Sequence, residues 1–191
     1  MEKFNSSNRR DAGFSLIEVM VASLILTIGL LTLAQLFALS TTTNLSGKST
    51  TYATVLADQK LEELRALTWG FDSTGLPLSD TTSDTASPDD AVDGGTGLAP
   101  SPETALQENT SGYVDYVDQF GNKLGGGDTV LDGTVYIRRW SVEPLPTNPN
   151  NTLILQVLVT RSRDRGTANE GSVRRLPDEA RVITVKTRKA Q

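Results

Sequence analysis

Gly13-Phe14-Ser15-Leu16-Ile17-Glu18-Val19-Met20-Val21-Ala22 opens an apolar run that continues to Leu39. From Phe14 to Leu39, 19 of 26 residues are apolar and Glu18 is the one charged side chain. Wound as a helix at about 1.5 Å per residue, the run is roughly 39 Å long, more than the ~30 Å hydrocarbon core of a bilayer. It is expected to span a membrane. Lys3, Arg9 and Arg10 precede it and the next cation is Lys48, so the positive-inside bias predicts a cytoplasmic N-terminus and an exported remainder. A secretory signal has an apolar region of only about 7–15 residues. Ala38-Leu39-Ser40 is a small-x-small triplet, which leaves ordinary cleavage before Thr41 open, as well as an uncleaved anchor that begins at Met1. Neither alternative gives a reason for Glu18. A carboxylate one turn into a membrane helix costs on the order of 2–3 kcal/mol on insertion scales, and such residues usually have a partner or a function.

The segment from Gly13 to Ala22 closely resembles the N-terminal signature of type IV pilins and type II secretion pseudopilins. The resemblance implies a 13-residue leader cut after Gly13 by a prepilin peptidase, with Phe14 as the first mature residue, N-methylated by the same enzyme, and Glu18 acting in assembly. Cleavage there removes all three leader cations and leaves an α-amino group, mostly charged near neutral pH, at the start of an apolar helix. A buried carboxylate and a buried ammonium are each unfavourable alone, and together they offset much of the desolvation. Within one helix the Phe14 amine and Glu18 are i, i+4 neighbours. Between subunits the same pair would fix axial register, because one stagger aligns the two charges.

The resemblance also implies an α+β, pilin-like fold, a long N-terminal helix packed on a small antiparallel sheet of three or four strands. Its implied partners are the prepilin peptidase, other pilin or pseudopilin subunits, and an inner-membrane assembly platform with its ATPase. The first proline of the chain is Pro77, whereas many major pilins that resemble this sequence carry a helix-breaking proline within the mature helix. A minor subunit is therefore expected. Leu56-Ala57-Asp58-Gln59-Lys60-Leu61-Glu62-Glu63-Leu64-Arg65 is similar to the second half of this helix in minor pilins of the pilus-modification type and in small minor pseudopilins. The expected function is that of a minor pilin, stored in the inner membrane and then incorporated to initiate or modify a fibre. A type II secretion minor pseudopilin is the close alternative. From another class, a membrane-anchored exported binding domain that never polymerises stays open.

Beyond the leader (1–13) and the membrane or fibre-core helix (14–39), an amphipathic continuation is expected over 40–70. Ala53, Ala57, Leu61 and Leu64 recur on one stripe with Tyr52, Leu56 and Leu67 on its flanks, and Gly70 suits a C-cap after Trp69. Ser40 to Thr50 is poor in helix formers and is expected to be a soft junction. Residues 71–112 form an acidic polar loop: Asp72 to Gly112 holds nine apolar residues, four Pro and five Gly in 41, without periodicity. Residues 113–191 make a β-rich C-terminal domain. Strands are expected at Tyr113–Asp118, at Thr134–Glu143, at Leu153–Thr160 with Leu153, Leu155, Val157 and Val159 on one face, and at Val182–Val185. Such a sheet cannot bury its apolar face alone, so the helical stripe is its expected lid. Arg161 to Pro177 reads as a second polar loop.

Composition narrows the chemistry. The 191 residues, 37% apolar, suit one ordinary domain with an appendage. There is no Cys and no His, which excludes disulfides, Cys/His zinc sites, thiol nucleophiles and any Ser/His/Asp triad. No catalytic residue and no cofactor is expected. The net charge of −5 is uneven: residues 71–133 carry 12 acidic side chains against Lys123 alone, and residues 134–191 carry 11 basic against 5 acidic. Arg138/Arg139, Arg161/Arg163/Arg165 and Arg174/Arg175 have few interleaved aromatics, so solvated strand edges and contacts between subunits are expected of them rather than nucleic acid. Asp115, Asp118, Asn122 and Asp128 place four oxygen donors within 14 residues, and some pseudopilins that resemble this chain bind calcium in C-terminal loops. Their spacing departs from an EF-hand, and Asx-turns are the plainer expectation. Gly125-Gly126-Gly127 lacks the Lys-Ser/Thr of a phosphate loop and reads as a flexible connector.

Overall fold

The structure, a computed structural model, describes residues 13–89, 92–162 and 179–188. Residues 1–12, with Lys3, Arg9 and Arg10 of the expected leader, lie outside the described residues, as do Arg163, Arg165, Arg174 and Arg175. One helix, α1 (Leu16–Ala66), runs through both compact units of the chain, Met1–Leu45 and Ser46–Gln191. It is long and apolar enough to cross a membrane by length and composition.

In the first unit the described side chains are all exposed. Several of its hydroxyls are satisfied locally. The Ser23, Thr27 and Thr32 hydroxyls donate to the carbonyls of Met20, Ser23 and Ile28 at 2.7–2.9 Å. The expected soft junction at Ser40 to Thr50 is a correction: these residues are helical throughout. Thr41 donates to Phe37 O, Thr42 and Thr43 to Leu39 O, and Thr50 to Ser46 O, so hydroxyls that could compete with the helix bond back onto it.

The second unit packs the α1 residues from Ser46 onward against a five-stranded antiparallel sheet. Its strands are β5 (Val114–Val117), β6 (Lys123–Gly126), β7 (Tyr136–Pro144), β8 (Thr152–Arg161) and β9 (Ala180–Thr187), in the order β6-β5-β7-β8-β9. The helical stripe is buried as its spacing predicts, with Ala53, Leu56, Ala57, Leu61 and Leu64 in one core with Tyr136, Trp140, Val142, Leu153, Leu155, Val157 and Val159. Period-2 alternation sorts the other side: Val114, Tyr116 and Ile137 form a smaller cluster with Leu124.

Three sequence expectations need correction here. The sheet has one strand more than the three or four expected, because β6 contains Gly125 and Gly126 rather than a flexible connector. A Cβ on Gly126 would lie 2.6 Å from both Ala86 Cβ and Val114 O, so close approach of neighbouring chain excludes any side chain. α1 stops at Ala66, and Gly70 belongs to strand β1 (Trp69–Phe71) instead of capping the helix. The cap is remote: the Lys186 ammonium donates to the carbonyls of Leu64, Arg65 and Leu67.

The acidic stretch is also more ordered than a loop. β1 pairs with β2 (Pro77–Ser79), and β3 (Ser83–Asp84) pairs with β4 (Val92–Asp93). Aspartates make its turns, with Asp72 accepting from Thr74 and Leu76 N–H groups and Asp80 from Thr82 and Ser83. Ala86, Leu98 and Ala105 reach the main core. Tyr113 donates to the carbonyls of Ala99 and Pro100, and Ser101 N–H to Val142 O, which binds the stretch to the sheet. Side-chain-to-backbone bonds and single small residues hold it, neither of which leaves a periodic pattern.

Candidate functional site

Gly13, Phe14 and Ser15 stand ahead of the helix, and the Ser15 carbonyl accepts from the N–H groups of Glu18 (3.0 Å) and Val19 (3.2 Å). Ser15 is thus the N-cap and Glu18 the third helical residue, the Ser-x-x-Glu spacing of a capping box. Position also suits the charge, since a carboxylate in the first turn faces the positive end of the helix dipole. Phe14, Ile17 and Val21 beside it are exposed. Among the described residues, nothing lies within 4 Å of where a Cβ on Gly13 would sit. Cleavage between Gly13 and Phe14 would place a new amine at the base of a helix turn that carries one exposed carboxylate and otherwise apolar surface.

The second concentration of charge lies where α1 meets the sheet, and sequence reading missed it. Lys60 is fully buried, set between Leu56 and Leu64 on the apolar stripe. Its ammonium lies 3.0 Å from Asp115 Oδ2, 3.3 Å from Glu63 Oε2 and 4.0 Å from the Trp140 ring centroid, and it donates to Thr85 O. Asp115, equally buried, also receives Nε and Nη2 of Arg138 at 2.7 Å each, in a two-pronged pair set by the β5–β7 register Asp115↔Arg138. Arg138 donates onward to Leu56 O, and Lys123 bonds Glu63 at 2.7 Å. Burial pushes the Asp115 pKa up, but Lys60 and Arg138 together outweigh it and hold the carboxyl below its ordinary range. Burial drives the Lys60 pKa down, with Asp115 and Glu63 opposing. The inner trio carries two cations for one anion and ties α1 to β5 and β7 through buried ion pairs.

That network corrects two site expectations. Arg138 and Arg139 are not solvated: both are buried, and Arg139 bonds Asn109 Oδ1 at 2.7 Å. The four calcium candidates do not act as one ligand set, because Asp115 is enclosed with its two cations. Asp118 instead forms an Asx-turn, accepting from the N–H groups of Phe120 and Asn122 and from the Asn122 amide, which lowers its pKa. Asp128 accepts from Ser111 N–H at 2.9 Å. Among the described residues no group of three His, Cys, Asp or Glu is placed to hold a metal ion.

Residues 8–34 match the family described as the Prokaryotic N-terminal methylation motif. No curated protein and no solved structure matches the chain. The matched segment contains Gly13, Phe14 and Glu18 and the start of the exposed apolar helix. It supports a pilin or pseudopilin subunit, which implies processing by a prepilin peptidase and assembly with other pilins. The apolar helix fits anchoring in the inner membrane.

Proposed function

We propose that the chain is a minor pilin of the pilus-modification type, cut between Gly13 and Phe14, N-methylated on Phe14, held in the inner membrane and then drawn into a type IV pilus. The observation that carries this is the conjunction of the methylation motif over 8–34 with an apolar helical segment whose described side chains are exposed up to Leu45 and in which Glu18 is the one charge of the apolar run. Such a surface has two stable surroundings, lipid before assembly and the apolar helices of other subunits after it. Transfer between them exchanges one apolar environment for another, so the main polar interaction left to direct it is Glu18 with a Phe14 amine.

Calcium and nucleic acid have no part in this account. The absence of proline before Pro77 favours a minor over a major subunit.

Glu18→Leu tests the assignment. The variant should insert into the membrane normally and fail to enter sheared fibres, whereas normal incorporation contradicts it. Deleting the chain separates the two fibre systems: loss or alteration of surface pili supports the pilus, and loss of protein secretion with pili intact would reassign it to a type II pseudopilus.

A further inference from the structure

The two edge strands of the five-stranded sheet differ. β6 is four residues long, and its pairing with β5 shifts register between Tyr116 and Val117, which blunts that edge. β9 runs for eight residues in unbroken register with β8, from Val159↔Ala180 to Thr152↔Thr187. Just past it the Arg188 N–H donates to Asn151 O at 2.8 Å, and the Thr152 carbonyl accepts from Leu145 on the β7 side. These two bonds fix the parity of the ladder. Even-numbered residues of β9 aim their backbone groups at β8, and Arg181, Ile183, Val185 and Thr187 aim theirs outward. Among the described residues none of these outward N–H and C=O groups has a partner.

A row of unpaired backbone groups is matched by another extended strand, and the alternate side chains decide which strand fits. Ile183 and Val185, 56% and 57% exposed, lie with exposed Arg181 on the face turned away from α1. Arg181 donates to the neutral Gln156 Oε1, and no carboxylate among the described residues pairs with it. On the other face a cleft of about 660 Å³, lined by Trp69, Gly70 and Phe71 of β1 and by Val185, Lys186 and Thr187, leaves room for the side chains of an added strand. The fitting strand therefore has aliphatic residues opposite Ile183 and Val185 and a carboxylate beside Arg181. A second β9 does not supply it, because Ala180–Thr187 holds two cations, Arg181 and Lys186, and no carboxylate.

We infer that β9 receives an edge strand of a different subunit of the same fibre, joined through the backbone groups of Arg181, Ile183, Val185 and Thr187, so that one sheet continues across the interface. The contact needs a single copy and one unlike neighbour, which is what a minor subunit meets. It rests on the fibre assignment.

Amide exchange of the full-length chain, resolved to single residues by mass spectrometry, tests it. In detergent the N–H groups of Ile183, Val185 and Thr187 should exchange at least about ten-fold faster than those of Val182, Thr184 and Lys186, which the β8 ladder holds. In sheared fibres the first three should slow by at least about ten-fold. Unchanged rates in fibres overturn the docking. Rates already slow in detergent overturn it too, since the edge is then covered by the chain itself or by a second copy. The side chains are tested by the amount of chain in fibres, with Tm in detergent as the check on folding. Arg181→Lys should match the natural chain, Arg181→Glu should fall about three- to five-fold, and Ile183→Lys with Val185→Lys should fall further. Folded charge-reversed and double-lysine chains that enter fibres at the natural level overturn the docking. Cleavage at Phe14 is scored on the same samples. A processed chain that enters fibres with the Ile183, Val185 and Thr187 amides still fast refutes the docking alone, and an unprocessed chain absent from fibres refutes the fibre assignment beneath it.

Discussion

Removing the Asp115 carboxylate while leaving Lys60 and Arg138 in place strands two fully buried cations against each other. Asp115→Ala takes away the two-pronged bond to Arg138 and the nearer of the two carboxylates around Lys60, leaving Glu63 at 3.3 Å. Breaking one side of a buried ion pair costs ~3–5 kcal/mol, a large share of the ~5–15 kcal/mol that holds a domain folded. At ~2–4 °C per kcal/mol for a chain of this size, the expected fall in Tm is roughly 6–20 °C. Lys60→Met is the counter-experiment. Asp115 and Arg138 remain paired, the trio loses its surplus positive charge, and a side chain of similar reach fills the space beside Trp140. Its expected effect is within about 1 kcal/mol, or less than ~4 °C. Thermal unfolding of the full chain in detergent, followed by near-ultraviolet circular dichroism and by the fluorescence of Trp140 and Trp69, reads both. If Lys60→Met is as damaging as Asp115→Ala, surplus charge is not what governs this cluster, and a fall below ~4 °C for Asp115→Ala would show that the cations are not stranded.

The same cluster sets the pH dependence. Because burial lowers the Lys60 pKa from 10.5, the folded chain sheds this proton before the unfolded chain does, so the Lys60 contribution to stability rises with pH from that lowered value up to 10.5. Urea midpoints across that window should climb in the natural chain and lose that slope in Lys60→Met. Asp115 acts in acid: its folded pKa is depressed, so its contribution is complete above the ordinary carboxylate value of ~3.9 and disappears as pH falls through the folded value, a loss that Asp115→Ala should no longer show. Gly126→Ala should cost ~1–3 kcal/mol in urea unfolding, since its Cβ would meet Ala86 and the Val114 carbonyl and neither can swing aside. Lys186→Met should cost about 1 kcal/mol and speed hydrogen exchange in the last turn of α1, which loses its donor to three carbonyls.

Much of this fold is written in periodicity. Ala53, Ala57, Leu61 and Leu64 announce the buried helix face, and the alternation of Leu153, Leu155, Val157 and Val159 announces β8 and the side it turns to the core. What escaped is held by interactions that leave no such pattern. β6 is Lys-Leu-Gly-Gly, and its glycines are there because Ala86 and Val114 crowd it, a reason that exists only once distant segments have come together. The hairpins before Gly112 rest on aspartate turns. The charge cluster did leave a trace. Lys60 interrupts the Leu56–Leu64 stripe at i, i+4 spacing, and Arg138 falls on the same side of its strand as Tyr136, Trp140 and Val142. A cation on a buried face calls for a carboxylate, and Asp115 sits between two valines and a tyrosine in the neighbouring strand. At the other end of the chain, Glu18 stands out in the sequence as a single charge in 26 residues, whereas the Ser15 cap three residues before it is seen in the structure alone.

The intact mass and N-terminal sequence of the full-length chain, purified from the membranes of cells in which it works, test the central claim most directly. The expected mature polypeptide begins at an N-methylated Phe14. A working chain that still begins at Met1, or one that begins at Thr41, would contradict it.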